Sequence, residues 1–313
     1  VVNVGKIRRL ATIATGVVAS VAMAAAPASA ATSSADLPEG MTASYIVVDQ
    51  ETGTVSASDE HKQYRSASLV KLFIALDYLE SHGPDYEIPA DDLALLEPML
   101  RSSNDDAAST LWVRDGWDEI VKRMVTTIGL TDTAPPTARG KWGYTAISAA
   151  DIAKTYQYIL HDANPKYRDF IMGNLAQSTK CGSDGFDQSF GLPSAVPGPK
   201  AVKQGWSGFG AAPAPGQECT GTNARTLRVL NSPEVKAATA VASSGEGTLG
   251  AKSAFSAQDI DLTSRAMHTS GTVGANNCKI VVVLTLEPTT LSWQDSASRI
   301  TQLTQDVFFQ SAL

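Results

Sequence analysis

Arg65-Ser66-Ala67-Ser68-Leu69-Val70-Lys71-Leu72-Phe73 opens an apolar helix, and the serine and lysine within it decide how the whole chain is read. Residues three apart on a helix share a face, with side chains about 5–6 Å apart, so the Lys71 amine can reach the Ser68 hydroxyl. A serine at a helix start also keeps a free backbone amide that can act on an anion. A serine beside an amine is a candidate activated nucleophile. One S-x-x-K carries little weight alone, because a chain of 313 residues holds about one by chance.

Upstream, Ser44-Tyr45-Ile46-Val47-Val48-Asp49 reads as a strand, Glu51-Thr52-Gly53 as a turn and Thr54 to Ser58 as the hairpin partner. Downstream, Leu69, Leu72, Phe73, Leu76 and Leu79 recur at helical spacing, and His82-Gly83-Pro84 is a stop signal. Further helices are expected over Ala90 to Arg101, Asp105 to Val113, Trp117 to Ile128, Ser148 to Leu160 and Lys166 to Leu175. Ser148-Ala149-Ala150-Asp151 resembles a capping box. From about Pro199 the pattern turns extended, at Ala201 to Lys203, Ala266 to Val273 and Lys279 to Leu286. Ser292 to Ala312 closes the chain as an amphipathic helix with Trp293, Ile300, Leu303, Val307 and Phe308 on one side.

Strand-rich ends around a helical middle predict an α/β fold: an antiparallel sheet flanked by helices, with an inserted all-helical lobe. The sheet lobe is expected over about 41–67 and 198–313 and the helical lobe over about 68–197, with a cleft at their boundary. Residues 207–264, rich in Gly, Ala, Ser and Pro, read as an irregular excursion between two strands.

Composition narrows the function. With 43% hydrophobic and 18% charged residues the chain suits a folded globular protein. Lys6, Arg8 and Arg9, an uncharged Leu10 to Ala26 stretch and Ala28-Ser29-Ala30 have the order of a secretory signal, residues 1–30, with cleavage expected after Ala30. The alternative, an uncleaved anchor, is disfavoured because Ala, Gly and Ser make the stretch only weakly hydrophobic. No cysteine follows the apolar run, so the sequence does not support lipid anchoring. Loss of the three basic residues takes the net charge from −7 to −10, a poor basis for binding nucleic acid. Cys181, Cys219 and Cys278 have no metal-ligand spacing and suggest one disulfide, its pairing open, plus one free thiol. Scattered His61, His82, His161 and His268 give no metal motif. The expectation is therefore a secreted monomer with no cofactor, no metal and no stable membrane insertion, acting on a small molecule or a peptidoglycan peptide.

Two more motifs follow the first. Ser102-Ser103-Asn104 lies between two expected helices, where its plainer reading is a helix cap. Of three K-x-G tripeptides, Lys141-Trp142-Gly143, Lys180-Cys181-Gly182 and Lys203-Gln204-Gly205, only the last follows an extended apolar run and opens the C-terminal strands. In this order, Ser68-x-x-Lys71, Ser102-x-Asn104 and Lys203-x-Gly205 resemble the three motifs of the penicillin-recognising serine enzymes, the class A β-lactamases and D,D-peptidases, over roughly residues 41–313. The resemblance implies that Ser68 is acylated and that Lys71 takes its proton. It further implies that Ser102 relays a proton to the leaving nitrogen, Asn104 holds the substrate amide and Lys203 faces the substrate carboxylate. The amides of Ser68 and Trp206 would form the oxyanion hole, each donor worth about 3 kcal/mol in the transition state. Lys71 must then lose roughly 3 units from a free-lysine value near 10.4, with Lys203 the expected neighbour that drives it.

The departures are equally informative. The stretch from Thr131 to Thr145, where the class A enzymes carry their deacylating glutamate, contains no Glu, and Glu119 lies in a helix well before it. Gln204 stands where that family usually has Thr or Ser, and the gap between the first two motifs is short. A general base is commonly worth about 10²–10⁴-fold, so efficient β-lactam turnover is not expected unless Asp132 or another carboxylate substitutes. Two other readings compete: a cell-wall-peptide or inhibitor-binding module on the same fold, and a Ser-His-Asp hydrolase using His268, weakened because the chain has no G-x-S-x-G.

Overall fold

The computed structural model describes Val1 and residues 37–221 and 260–311. The expected signal segment and most of the 207–264 excursion lie outside these residues. The first hairpin forms as read, with β1 (Thr42–Asp49) paired antiparallel to β2 (Val55–Ser58). The Asp49 carboxylate accepts from the amides of Glu51 and Thr52, and Gly53 supplies the left-handed residue the turn needs. The two-residue β3 (Tyr64–Arg65) pairs with β4 (Ala146–Ile147) as a small separate sheet just ahead of Ser68.

After a single 3₁₀ turn at Ala67–Val70, Lys71 opens α1 (Lys71–His82). Leu72, Phe73, Ile74, Ala75 and Leu76 on α1 are all fully buried, so the helix is a central pillar rather than a surface helix with one wet face. Around it pack α2 (Ala90–Arg101), α3 (Asp105–Arg114), α4 (Glu119–Ile128) and α6 (Pro165–Ala176), while α5 (Ala149–Gln157) lies against the sheet. At the α5 N-terminus Ser148 accepts from the Asp151 amide, but the Asp151 carboxylate turns instead to Thr131, Asp132 and Thr133. Half of the expected capping box is thus diverted to hold a loop.

A short α7 (Leu192–Ala195) leads into β5 (Lys200–Ser207), and β6 (Arg265–Val273), β7 (Lys279–Glu287) and α8 (Trp293–Gln310) complete the fold. The main sheet has five strands in the order β2-β1-β7-β6-β5, with antiparallel pairing throughout. Strands from both chain ends therefore meet at β1 and β7, and β5 is left on the edge that faces the helical lobe. One core fills the space between the sheet and the helices of the middle segment. A second, under α7 and α8, covers the other face with Val47, Val283, Ile300, Leu303 and Phe190. Burial on both faces makes β7 read as a continuous apolar run, Ile280 to Leu284, instead of an alternating one.

Candidate active site

Ser68 sits in the 3₁₀ turn, 5% exposed, and Lys71 begins the helix with no exposure at all. Ala67, just before the nucleophile candidate, has φ of 45°, a left-handed value that only tight surroundings maintain in a residue with a Cβ. Those surroundings are the Trp142–Thr145 segment: the Ser66 amide donates to Thr145 O, and Gly143 lies against the Ala67 backbone. The Lys71 ammonium donates to Ser68 Oγ at 2.7 Å, Ser103 O at 2.7 Å and Asp105 Oδ1 at 2.5 Å. It also lies 4.8 Å from the centre of the Trp142 ring, on which a cation is favoured.

Across the cleft, β5 brings Lys203, 1% exposed, with Nζ 2.8 Å from Ser103 Oγ and 2.8 Å from Gln204 O. Burial first, and then the Lys71 charge, hold the Lys203 ammonium well below its usual range. The Ser103 hydroxyl lies 3.3 Å from Lys71 Nζ, so one serine oxygen bridges the two lysines. The β5 main chain runs close past Ser68: a Cβ on Gly205 would come within 3.1 Å of Ser66 O and 3.2 Å of the Ser68 amide nitrogen. Trp206 follows in the cleft wall, its indole N–H donating to Asp184 Oδ2 at 2.8 Å. A cleft of about 340 Å³ opens over Ser68, walled by Asp105, Gly140 to Tyr144, Asp184 and Trp206 to Gly208.

The second motif is placed one residue later than its reading. Pro98 O accepts from the Ser102 amide, the Asn104 amide and the Ser102 hydroxyl, which ends α2 and turns Ser102 away from the lysines. Ser102 Oγ also meets Ser183 Oγ at 2.8 Å. Ser103 then takes φ of 57°, and this left-handed step swings its hydroxyl between Lys71 and Lys203. Asn104 caps α3 by accepting from the Ala107 amide at 2.7 Å, so its side chain is spent on the helix. Asp105, its side chain 63% exposed, is the residue that reaches from α3 into the cleft beside Lys71. Ser103 and Asp105 thus occupy the positions expected for Ser102 and Asn104. The helix-cap reading of this stretch is the one that holds, with Asn104 directly before α3 and committed to the Ala107 amide.

The remaining expectations resolve by placement. The Gln204 amide turns into the core, donating to Phe190 O and accepting from Thr269 Oγ1. Asp132 is bound to His61 and Ser148, and Glu119 pairs with Lys122, so neither faces the cleft. His268 is fully buried between Arg65 O and the Thr285 amide, away from Ser68. Cys181 pairs with Cys219 and Cys278 is free. The disulfide and the bond from the Cys219 amide to Gly185 O fasten the loop that carries Asp184. Sequence reasoning did not find Asp184, because nothing in Gly182-Ser183-Asp184-Gly185 marks it as anything but a turn.

Among solved structures, PBP-A superposes with a TM-score of 0.56 at 13% identity, covering 88% of this chain and 91% of that one. A class A β-lactamase from Mycobacterium abscessus superposes with a TM-score of 0.57 at 12% identity, covering 88% and 95%. The chain has the fold of the class A β-lactamases and penicillin-binding proteins. In the β-lactamase fold seen here the sheet edge β5, the α1 turn and the α2–α3 junction meet at one cleft, which is why three short motifs far apart in sequence converge. No family model matches the sequence. In the curated relatives, "Putative lipoprotein LppW" of Mycobacterium tuberculosis and of Mycobacterium bovis, 173 residues align at 39% identity. The alignment covers 53% of this chain, which spans about half the length of those relatives.

Proposed function

We propose that this chain is a serine acyl-enzyme hydrolase working outside the cytoplasm, with Ser68 attacking a β-lactam, a D-Ala-D-Ala peptide or a related amide or ester. The observation that carries this reading is the 2.7 Å contact of Lys71 Nζ with Ser68 Oγ, within a buried chain that continues through Ser103 Oγ to Lys203 and opens on a cleft. In the reaction Lys71, in its neutral form, takes the Ser68 proton as Oγ attacks the carbonyl. The Ser68 amide and the β5 main chain at Trp206 stabilise the oxyanion, and Ser103 passes a proton to the leaving group. Support from relatives is of two kinds: a PBP-A variant has been solved as an acyl-enzyme with penicillin G, and the curated relatives are named as lipoproteins. The second supports an extracytoplasmic location, with cleavage after Ala30 part of the proposal. Among the described residues no helix is long and apolar enough to cross a membrane.

The same geometry predicts slow deacylation. No carboxylate from residues 131–145 lines the cleft. Where neither Asp105 nor Asp184, the carboxylates that do line the cleft, activates water in that base's place, deacylation is slower by about 10²–10⁴-fold and the acyl-enzyme accumulates. Intact-mass measurement over time with a penicillin, beside Ser68→Ala, tests both parts. A persistent adduct absent from the variant is expected. An adduct that survives Ser68→Ala removes Ser68 from the mechanism.

A second reading, a binding module without turnover, is favoured by one observation: the Lys71 ammonium is ion-paired to Asp105 in the resting site. It requires saturable ligand binding that Ser68→Ala leaves unchanged, with no adduct from any acyl donor.

A further inference from the structure

We propose that Trp142 keeps water from the acylated serine: its ring closes the Lys71 side of the Ser68 ester, and the indole bond to Ser109 holds the ring there. This deepens the acyl-enzyme reading above and rests on it. The reacting pair meets little solvent although a cleft opens over it, for Ser68 is 5% exposed and Lys71 has no exposure. An acyl group bound to Ser68 fills the mouth of that cleft, so the approach it leaves free to water is the Lys71 side. That side is closed by the Trp142 ring, whose centre lies 4.8 Å from Lys71 Nζ, and by Ser103 and Asp105. The three N–H groups of the Lys71 ammonium are spent on Ser68 Oγ, Ser103 O and Asp105 Oδ1, which leaves none to hold a water beside the ester.

The ring is fixed where it stands. Its N–H donates to Ser109 Oγ on α3 at 3.2 Å, and it packs against the helical core. The Trp142 carbonyl accepts from the Thr145 amide at 3.0 Å and the Thr145 hydroxyl at 2.8 Å, which closes the short turn Trp142–Tyr144. That turn is clamped to the segment carrying Ser68. The Ser66 amide donates to Thr145 O at 2.8 Å, and a Cβ on Gly143 would lie 3.7 Å from the Ala67 Cα. On the other side of the ring's loop the Trp112 indole donates to Arg139 O at 2.9 Å. Residues 131–145 thus bring no carboxylate to the cleft; what they bring against the lysine is an anchored indole. An apolar ring neither orients nor activates a water, and closing a reacting centre to solvent protects an intermediate from hydrolysis.

The test acylates the full mature chain with penicillin G, removes the free drug and follows loss of the adduct by intact mass, with Ser68→Ala as the blank. The parent is compared with Trp142→Ala, Trp142→Phe and Ser109→Ala, and the rate of acylation is measured for each. Trp142→Ala is expected to shorten the adduct's lifetime by about tenfold, a larger factor than any change in its acylation rate. Trp142→Phe and Ser109→Ala each break the anchoring bond but keep a ring, so both are expected to shorten the lifetime by a smaller and similar factor. A merely structural role would not give this split, since a loosened site acylates more slowly as well. A Ser68-dependent adduct whose lifetime is unchanged in Trp142→Ala or in Ser109→Ala, or a parent that hydrolyses its ester as fast as it forms, overturns the role of the ring while leaving the acyl-enzyme reading intact. No Ser68-dependent adduct in the parent overturns both. Ser109→Ala and the parent decide the matter even where Trp142→Ala fails to fold.

Discussion

His268 and Glu287 give stability opposite dependences on pH across the same window, and removing either exposes the other. His268 has no solvent exposure; its Nε2–H donates to Arg65 O at 2.9 Å and its Nδ1 accepts from the Thr285 amide at 3.2 Å. A second proton would land on Nδ1 facing an N–H donor, inside the sheet. Burial accordingly pulls the imidazole from its ordinary 6.5 down to about 4. In the unfolded chain His268 binds its proton first, so its contribution is fully present above pH 6.5 and is lost as pH falls towards 4. At about 1.4 kcal/mol per unit the loss amounts to about 3 kcal/mol. Glu287, at the end of β7, is equally buried, with Arg299 Nε 3.1 Å from one oxygen. Burial outweighs the arginine and raises the carboxyl from its ordinary 4.5 to about 7. Here the folded state holds the proton longer, so stability is highest below pH 4.5 and falls as pH climbs to 7, again by about 3 kcal/mol. Between pH 4.5 and 6.5 the two slopes cancel. Urea unfolding of the intact protein at half-unit steps from pH 4 to 8 is expected to give a nearly level midpoint across that interval. Glu287→Gln removes the slope that opposes the histidine, so stability climbs by about 2 to 3 kcal/mol from pH 4.5 to 6.5. A level profile in Glu287→Gln would refute the assignment to His268, and a steep one in the parent protein would refute the cancellation.

Three other outcomes follow from the site and its supports. Ser103→Ala is expected to lower acylation by about 10² or more, while Ser102→Ala stays within about threefold, as judged by adduct accumulation with a β-lactam; the reverse order would restore the relay to Ser102. Asp105→Asn removes the anion that holds the Lys71 ammonium at 2.5 Å. With an uncharged acyl donor it is expected to speed Ser68 acylation severalfold by freeing the Lys71 amine for Ser68 Oγ, and a comparable slowing would make Asp105 a required partner instead. Reduction of Cys181–Cys219, which closes a 38-residue separation, is expected to cost about 4 kcal/mol in denaturant unfolding; a loss below about 1 kcal/mol would mean the loop is held by its other contacts.

Local pattern, where it governs an element alone, was legible before any coordinates. The helix over Ala90 to Arg101 begins and ends at the residues read from spacing, and α1 stops at the His82-Gly83 signal. The apolar runs around Val202, Met267 and Val283 became β5, β6 and β7; runs buried on both faces carry no period, and short length, β-branched residues and the flanking Pro199, Gly274 and Pro288 mark them as strands. Less legible was α5, whose expected end at Leu160 gives way after Gln157 to a wider π turn over Tyr158–Asp162.

Chemical identity and spacing by themselves brought the Ser68 hydroxyl and the Lys71 amine together, since three residues on one helical turn leave little geometric freedom. They also identified Lys203 as the lysine of the third motif, because only that K-x-G follows a strand. Tertiary structure alone decided which serine joins them. Ser102 and Ser103 are chemically identical neighbours, and the choice rests on a left-handed φ and three bonds to Pro98 O. It also decided the charge of the cleft. Asp184 lies more than a hundred residues from Lys71 and Ser68 in sequence and reaches their cleft because a disulfide, a glycine and the Trp206 indole hold its loop there. Local propensity has no range to specify such a meeting; packing between distant segments does.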